Sequence, residues 1–103
     1  MALADVTATK PHRSYVATAW FRAHPAGATV QVNLVEYVQG RRYSVDTGGV
    51  VLGAGWDRLE VAHVVHRPGS RLGVEILAPD LKRGASLLVD DLAVVAHDAS
   101  FMR

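Results

Sequence analysis

The sequence has no cysteine, no long hydrophobic run and almost no net charge, and each absence excludes a class of protein. Without cysteine, disulfides and thiolate metal sites are excluded. A formal net charge of +1 gives no electrostatic case for nucleic acid or an anionic membrane, so neither is expected as a partner. No apolar run approaches the roughly 18 to 20 residues that a membrane-spanning helix needs.

Residues 1–20 also lack the charged start and apolar block of a signal peptide, so the chain is not expected to direct its own export. The sequence does not determine the compartment. A secreted or cell-surface location is expected if the chain is part of a longer exported protein. Hydrophobic residues make up 50% and charged residues 20%, a balance typical of a globular protein. The length of 103 residues predicts a single domain over 1–103 with an adequate core.

Glycine and proline turn signals recur at short intervals, and no segment between them carries an apolar stripe of helical length. This pattern predicts an all-β fold, an antiparallel β-sandwich of about seven or eight strands. The first strand is placed at residues 4–10. The polar stretch 39–48 is assigned to a loop, with a short strand inside it as the alternative, before a short strand at 49–52. Alternation predicts these inward residues: Tyr15, Phe21, Val30, Val32, Leu34, Leu59, Val61, Leu72, Val74, Ile76, Leu92 and Val94.

The longest β-favouring apolar run spans residues 86–95, and an acidic pair, Asp90 and Asp91, lies at its centre. Both faces of the run are largely apolar, which predicts a central strand covered on both sides. A carboxylate in such a strand needs a cation or several hydrogen-bond donors, because an unpaired buried charge is too costly.

Three stretches of this chain resemble strands of a known family. Leu-Val-Asp-Asp-Leu-Ala-Val at 88–94 resembles the closing strand of carbohydrate-binding modules with a galactose-binding-like jelly roll. Tyr-Val-Ala-Thr-Ala-Trp-Phe-Arg-Ala at 15–23 and Gly-Trp-Asp-Arg-Leu-Glu-Val at 55–61 are similar to two other strands of that family. The resemblance covers roughly residues 5–96 and leaves 97–103 as a tail.

The resemblance implies a galactose-binding-like jelly roll that binds an oligo- or polysaccharide and accompanies a glycoside-acting enzyme. A rival interpretation is a structural jelly-roll module that packs against a neighbouring domain or a second copy and binds no sugar. An enzyme is not expected: Ser86 and Asp90 lie on one strand without a nucleophile elbow, and no catalytic triad can be argued.

The resemblance also implies a structural calcium ion, which takes six to eight oxygens, with Asp90 as one ligand. The alternative is an aspartate that is bonded to turn N–H groups or faces solvent near an edge. The family's N-terminal strands, which supply a further acidic ligand, have no counterpart here. Weak or no calcium binding is therefore expected, and no other cofactor. Strands that would have paired with those segments should leave an open edge, which predicts self-association.

The pair His63 and His66 suggests a metal site, because imidazole is a common ligand. On one strand, however, residues three apart point to opposite faces, so the two rings are predicted not to share an ion. A hydrogen-bonded inner His63 and a surface His66 are expected instead.

Aromatic residues are few, at 7%, but three of them lie beside polar groups that suit a sugar. An aromatic ring covers the apolar face of a sugar while amide and guanidinium groups meet its hydroxyls. The predicted ligand-binding residues are Trp20, Arg22, Asn33 and Tyr37, with Arg41 and Tyr43 as a loop rim.

This joint site requires strands 14–23 and 28–38 to lie in one sheet. In different sheets, the rings of Trp20 and Tyr37 would end on opposite sides of the sandwich. An alternative for Trp20 is a ring under a covering loop, and Trp56 is expected to fill the core.

Overall fold

The structure, a computed structural model, describes residues 2–6 and 13–97. Its strands are β1 (Ala2–Val6), β2 (Ser14–His24), β3 (Thr29–Val38), β4 (Arg41–Val51), β5 (Asp57–Val64), β6 (Arg71–Leu77) and β7 (Ser86–His97). Residues 7–10 of the predicted first strand and 98–103 of the predicted tail lie outside the described residues, and His97 belongs to β7.

Two antiparallel sheets face each other across the core. Sheet A has the order β1-β6-β3-β4 and sheet B the order β5-β2-β7. The predicted antiparallel β-sandwich is confirmed. Sheet B has three strands, and sheet A has three with β1 added at its edge. The described residues therefore form seven strands, the lower of the two predicted numbers. Within the described residues, no helix is long and apolar enough to cross a membrane.

The core lies between the inward faces predicted from alternation. All the predicted inner residues are buried or pack against the core, with Leu59, Leu92 and Val94 only partly covered. Gly48 of β4 also faces inward, and a Cβ there would lie 2.9 Å from Cγ2 of Val61. The two sheets therefore approach closely between β4 and β5.

The prediction of a polar loop at 39–48 is wrong. Gln39 and Gly40, with φ of 52° and 78°, form a two-residue turn, and β4 continues through Val51. Short hairpin turns of this kind need positive φ at both central residues. Because β4 is an edge strand and mostly exposed, its polar sequence is compatible with a strand.

The prediction that residues 86–95 form a central strand is also wrong, because β7 lies at the edge of sheet B. One face covers the core, but the other leaves Leu88 46% and Val95 59% exposed. The prediction that Trp56 fills the core is wrong, because Trp56 is 41% exposed. The buried residue of the β4–β5 connection, residues 52–56, is Leu52.

Candidate functional site

The outer face of sheet A carries a hydrogen-bonded group of polar side chains, here called the Glu75 network: Asn33, Tyr37, Arg42, Thr47 and Glu75. Asn33 of β3 lies opposite Thr47 of β4 and Glu75 of β6. Its Oδ1 accepts a hydrogen bond from Thr47 Oγ1 at 2.8 Å, and its Nδ2 donates to Glu75 Oε1 at 3.2 Å. Three neighbouring strands thus contribute to one continuous polar row.

The Glu75 carboxylate is the centre of this network. Arg42 Nη1 donates to Oε1 at 2.9 Å and to Oε2 at 2.8 Å, and Tyr37 Oη donates to Oε2 at 3.4 Å. The hydrogen bond from Asn33, helped by Arg42 and Tyr37 and opposed by partial burial, lowers the pKa of Glu75 below its ordinary value. Because the Glu75 side chain is 20% exposed, the ionised carboxylate is reachable from solvent.

An aromatic ring flanks the carboxylate. The Arg71 guanidinium lies 4.6 Å from the centroid of the Tyr37 ring, within the range of a cation–π contact. Between the ends of the network, Val35 is fully buried although it lies on the outward side of β3. The network lies along the middle of this sheet face, with the Arg42 side chain 51% and the Glu75 side chain 20% exposed.

Of the predicted sugar-binding residues, the structure brings Asn33 and Tyr37 together and separates them from Trp20 and Arg22. Trp20 and Arg22 lie on β2 in sheet B, where Trp20 is 39% exposed and pairs with Arg58 and Asp90. The joint site is wrong, because the chain crosses from sheet B to sheet A between β2 and β3.

The predicted loop rim is not a loop. Arg41 is the first residue of β4 and pairs with Val38 beside the hairpin turn. Tyr43 lies at a register shift of β4, with its ring 6.1 Å from the His66 ring and 5.2 Å from the Arg67 guanidinium. Tyr43 therefore contacts the connection that follows β5.

Sequence reasoning missed Glu75, Arg42 and Thr47. Glu75 stands between the inward residues Val74 and Ile76, and this alternation marks it as an outward carboxylate. Alternation does not show which strands are neighbours in a sheet. Only the pairing of β6 with β3 shows that Glu75 lies beside Asn33.

A second polar group lies on the inner side of the sandwich and joins the two sheets. His63 of β5 is 1% exposed, and its Nε2 lies 2.8 Å from Oε1 of Glu36, which is fully buried on β3. Its Nδ1 lies 2.7 Å from Oδ2 of Asp46 on β4. The expected hydrogen-bonded inner His63 is confirmed.

The Glu36 carboxylate also binds the start of the β5–β6 connection. It accepts hydrogen bonds from the backbone N–H groups of His66, at 3.1 and 3.2 Å, and of Arg67 at 2.9 Å. Burial by itself raises the pKa of Glu36, but the hydrogen bonds from His63, Arg67, His66 and Ser70 outweigh it and lower the pKa to about 2.

The prediction that His63 and His66 point to opposite faces is wrong. β5 ends at Val64, so the strand alternation does not reach His66. The two rings are 5.6 Å apart between centroids, and His66 Nδ1 lies 3.3 Å from Glu36 Oε1. The expected surface position of His66 is confirmed, since its side chain is 54% exposed.

Asp90, the predicted calcium ligand, is exposed on the edge strand β7. Its Oδ1 accepts a hydrogen bond at 2.9 Å from the backbone N–H of Asp91, whose φ is 52°. Among the described residues, the group of three side chains that could hold an ion is Glu36, His63 and His66, and Asp90 is not in it.

Comparison with known proteins identifies the fold. The chain matches a solved structure described as "CBM4 structure and function" with a TM-score of 0.60 and 12% sequence identity, over 90% of this chain and 72% of that one. No family model and no curated protein matches the sequence. The predicted resemblance is confirmed at the level of fold: the protein is a jelly-roll β-sandwich like that of this carbohydrate-binding module.

Proposed function

We propose that this protein is a non-catalytic carbohydrate-binding module whose sugar site is the outer face of sheet A. The observation that carries the proposal is the Glu75 network, in which three strands hold carboxylate, guanidinium, amide and hydroxyl groups beside a tyrosine ring. The likeness to the CBM4 structure supports the proposal through the fold. The proposed ligand is an oligo- or polysaccharide, with the module acting beside a glycoside-acting enzyme.

The chemistry of the network suits a sugar. The Glu75 carboxylate accepts hydrogen bonds from hydroxyl groups and Arg42 donates to hydroxyl oxygens, while the buried Asn33 amide holds Glu75 in place. The Tyr37 ring and the Arg71 guanidinium stacked over it offer a flat surface for the C–H face of a pyranose. Because these side chains are already hydrogen-bonded to one another, little rotamer entropy is lost when a ligand arrives.

We expect Glu75→Ala to weaken oligosaccharide binding by about 10- to 100-fold, since hydrogen bonds to a charged group are worth about 1.5–3 kcal/mol each. The loss would also release Arg42, Asn33 and Tyr37 from their present orientations. Wild-type affinity should be modest, on the order of millimolar to micromolar, or roughly −4 to −8 kcal/mol. Calorimetric titration with xylo-, cello- and manno-oligosaccharides measures the affinity of the wild type and of Glu75→Ala.

The matched control is Trp20→Ala, which removes an exposed aromatic ring from the opposite sheet and should leave the affinity unchanged. Loss of binding in Trp20→Ala with normal binding in Glu75→Ala would move the site to sheet B. If the folded wild-type protein binds none of these sugars, the structural-module interpretation replaces the proposal.

A second proposed function is self-association through the edge of sheet B. β7 has 12 residues, and among the described strands only β2 pairs with it. Leu88, Val89 and Val95 on this strand are 46%, 37% and 59% exposed. A long apolar edge is a template for pairing with another strand, and a second copy of the chain supplies one.

Val95→Lys should convert the associated protein to a monomer, because lysine on an edge strand opposes strand pairing. Light scattering after size-exclusion chromatography, over a wide concentration range, measures the change. The control is Val51→Lys on the edge strand β4 of sheet A, where the valine is 66% exposed. A wild-type protein that stays monomeric at all concentrations contradicts this second function.

A further inference from the structure

We propose that Glu36, His63 and His66 form a binding site for a divalent transition metal ion of the zinc class. One carboxylate oxygen and two imidazole nitrogens are a ligand set that zinc favours. The ligand atoms of the three residues lie within 4.8 Å of one another. This site is independent of the proposed sugar site, because it lies on the inner side of the sandwich.

One spacing between the ligand atoms already fits a tetrahedral ion, and a second is close to it. Ligands about 2.0–2.2 Å from zinc are roughly 3.3–3.6 Å apart in a tetrahedron. His66 Nδ1 and Glu36 Oε1 are 3.3 Å apart. His63 Nε2 and Glu36 Oε1 are closer, at 2.8 Å, the spacing of a hydrogen bond. A separation of the last pair by about half an ångström turns the hydrogen-bonded pair into two metal ligands.

Asp46 orients His63 for this role. Its Oδ2 lies 2.7 Å from His63 Nδ1, so the proton on Nδ1 is held by the Asp46 carboxylate, and Nε2, on the Glu36 side of the ring, is the atom that can bind a metal. Histidine ligands of metals almost always donate the other ring N–H to such a group, which fixes the tautomer and raises the basicity of the ligand nitrogen. The Asp46 and Glu36 carboxylates together balance the charge of a dication.

His66 provides the entrance. Glu36 and His63 are buried and held from several sides, whereas the His66 side chain is 54% exposed. Its position is fixed at the backbone, because the His66 N–H donates to both Glu36 oxygens. Three protein ligands on one side and solvent on the other leave a fourth position for water or an external ligand.

The test is titration of tag-free protein with zinc chloride by calorimetry and with cobalt(II) by visible absorption. We expect one ion per chain and the intense visible bands of four-coordinate cobalt. His66→Ala should weaken zinc binding at least about tenfold, and Asp46→Asn by about 10- to 100-fold, the usual effect of losing the partner of a histidine ligand. Both residues are more than half exposed at the side chain, so both variants should fold.

His24→Ala is the matched control. His24 is also an exposed histidine, but it is the last residue of β2. The first residue of β2, Ser14, is the one near the site, because it pairs with Val64. Ten residues of strand put it roughly 33 Å away. Unchanged binding in His24→Ala together with weakened binding in His66→Ala supports the site. No zinc binding by the wild-type protein, or equal binding by wild type and His66→Ala, overturns it.

Discussion

Replacing Glu36 with alanine should lower the free energy of unfolding by about 3–5 kcal/mol, the cost of removing one partner from a buried, hydrogen-bonded pair. Glu36 has no exposed surface and bonds His63 across the sandwich. It also accepts hydrogen bonds from the backbone N–H groups of His66 and Arg67. These two groups lose their acceptor in the alanine variant. Urea unfolding at neutral pH measures the loss.

The same carboxylate makes stability depend on pH. The pKa of Glu36 in the folded protein is about 2, below its ordinary value of 4.5, so the folded state binds the proton more weakly than the unfolded state. Its contribution is therefore fully present above pH 4.5 and is lost as the pH falls toward 2. Because a tenfold difference in proton affinity corresponds to about 1.4 kcal/mol, that contribution is about 3 kcal/mol.

Two variants separate the causes. Glu36→Gln keeps the shape and can accept the backbone hydrogen bonds, but it does not titrate, so its stability should fall less between pH 4.5 and 2 than that of the wild type. The double variant Glu36→Leu with His63→Leu should recover part of the alanine loss, because it removes the buried histidine together with its partner and fills the space with apolar side chains, so that only the backbone N–H groups lose their acceptor. A loss below about 1 kcal/mol in Glu36→Ala would contradict a structural role of this size.

The fold was largely predictable because its signal is local. Period-two alternation fixes which side of a strand faces the core, and it placed Phe21, Leu34 and Leu72 correctly inside. The failures arose where a strand lies at an edge. β4 is polar because an edge strand tolerates exposure, and β7 is apolar on both faces although one of them is uncovered.

The candidate sites were less predictable, because both depend on contacts between distant parts of the chain. Alternation places Asn33 and Tyr37 on one face, but only the order of strands in the sheet shows that Glu75 lies next to them rather than Trp20. The histidine prediction failed for a different reason. It extended strand geometry past Val64, where the chain leaves the sheet and turns His66 back toward Glu36.

Phe21→Ala should also destabilise the protein by about 3–5 kcal/mol, the range for removing a buried aromatic ring. Phe21 is fully buried at the centre of sheet B, and its neighbours on the inward face of β2 are Ala19 and Ala23. Alanines have no side chain that can move into the space left by the ring, so the cavity should persist and the loss should lie toward the upper end of the range.

Phe21→Leu is the control, because it keeps much of the volume and should lose clearly less stability than alanine. Calorimetric melting and urea unfolding measure both variants, and equal stability of Phe21→Ala and wild type would show that the ring does not support the core. Since Phe21 lies in sheet B and the Glu75 network on the outer face of sheet A, sugar affinity of the folded Phe21→Ala protein should stay at the wild-type level. The two substitutions Phe21→Ala and Glu75→Ala therefore separate stability from binding: the first changes the unfolding free energy, and the second changes the affinity.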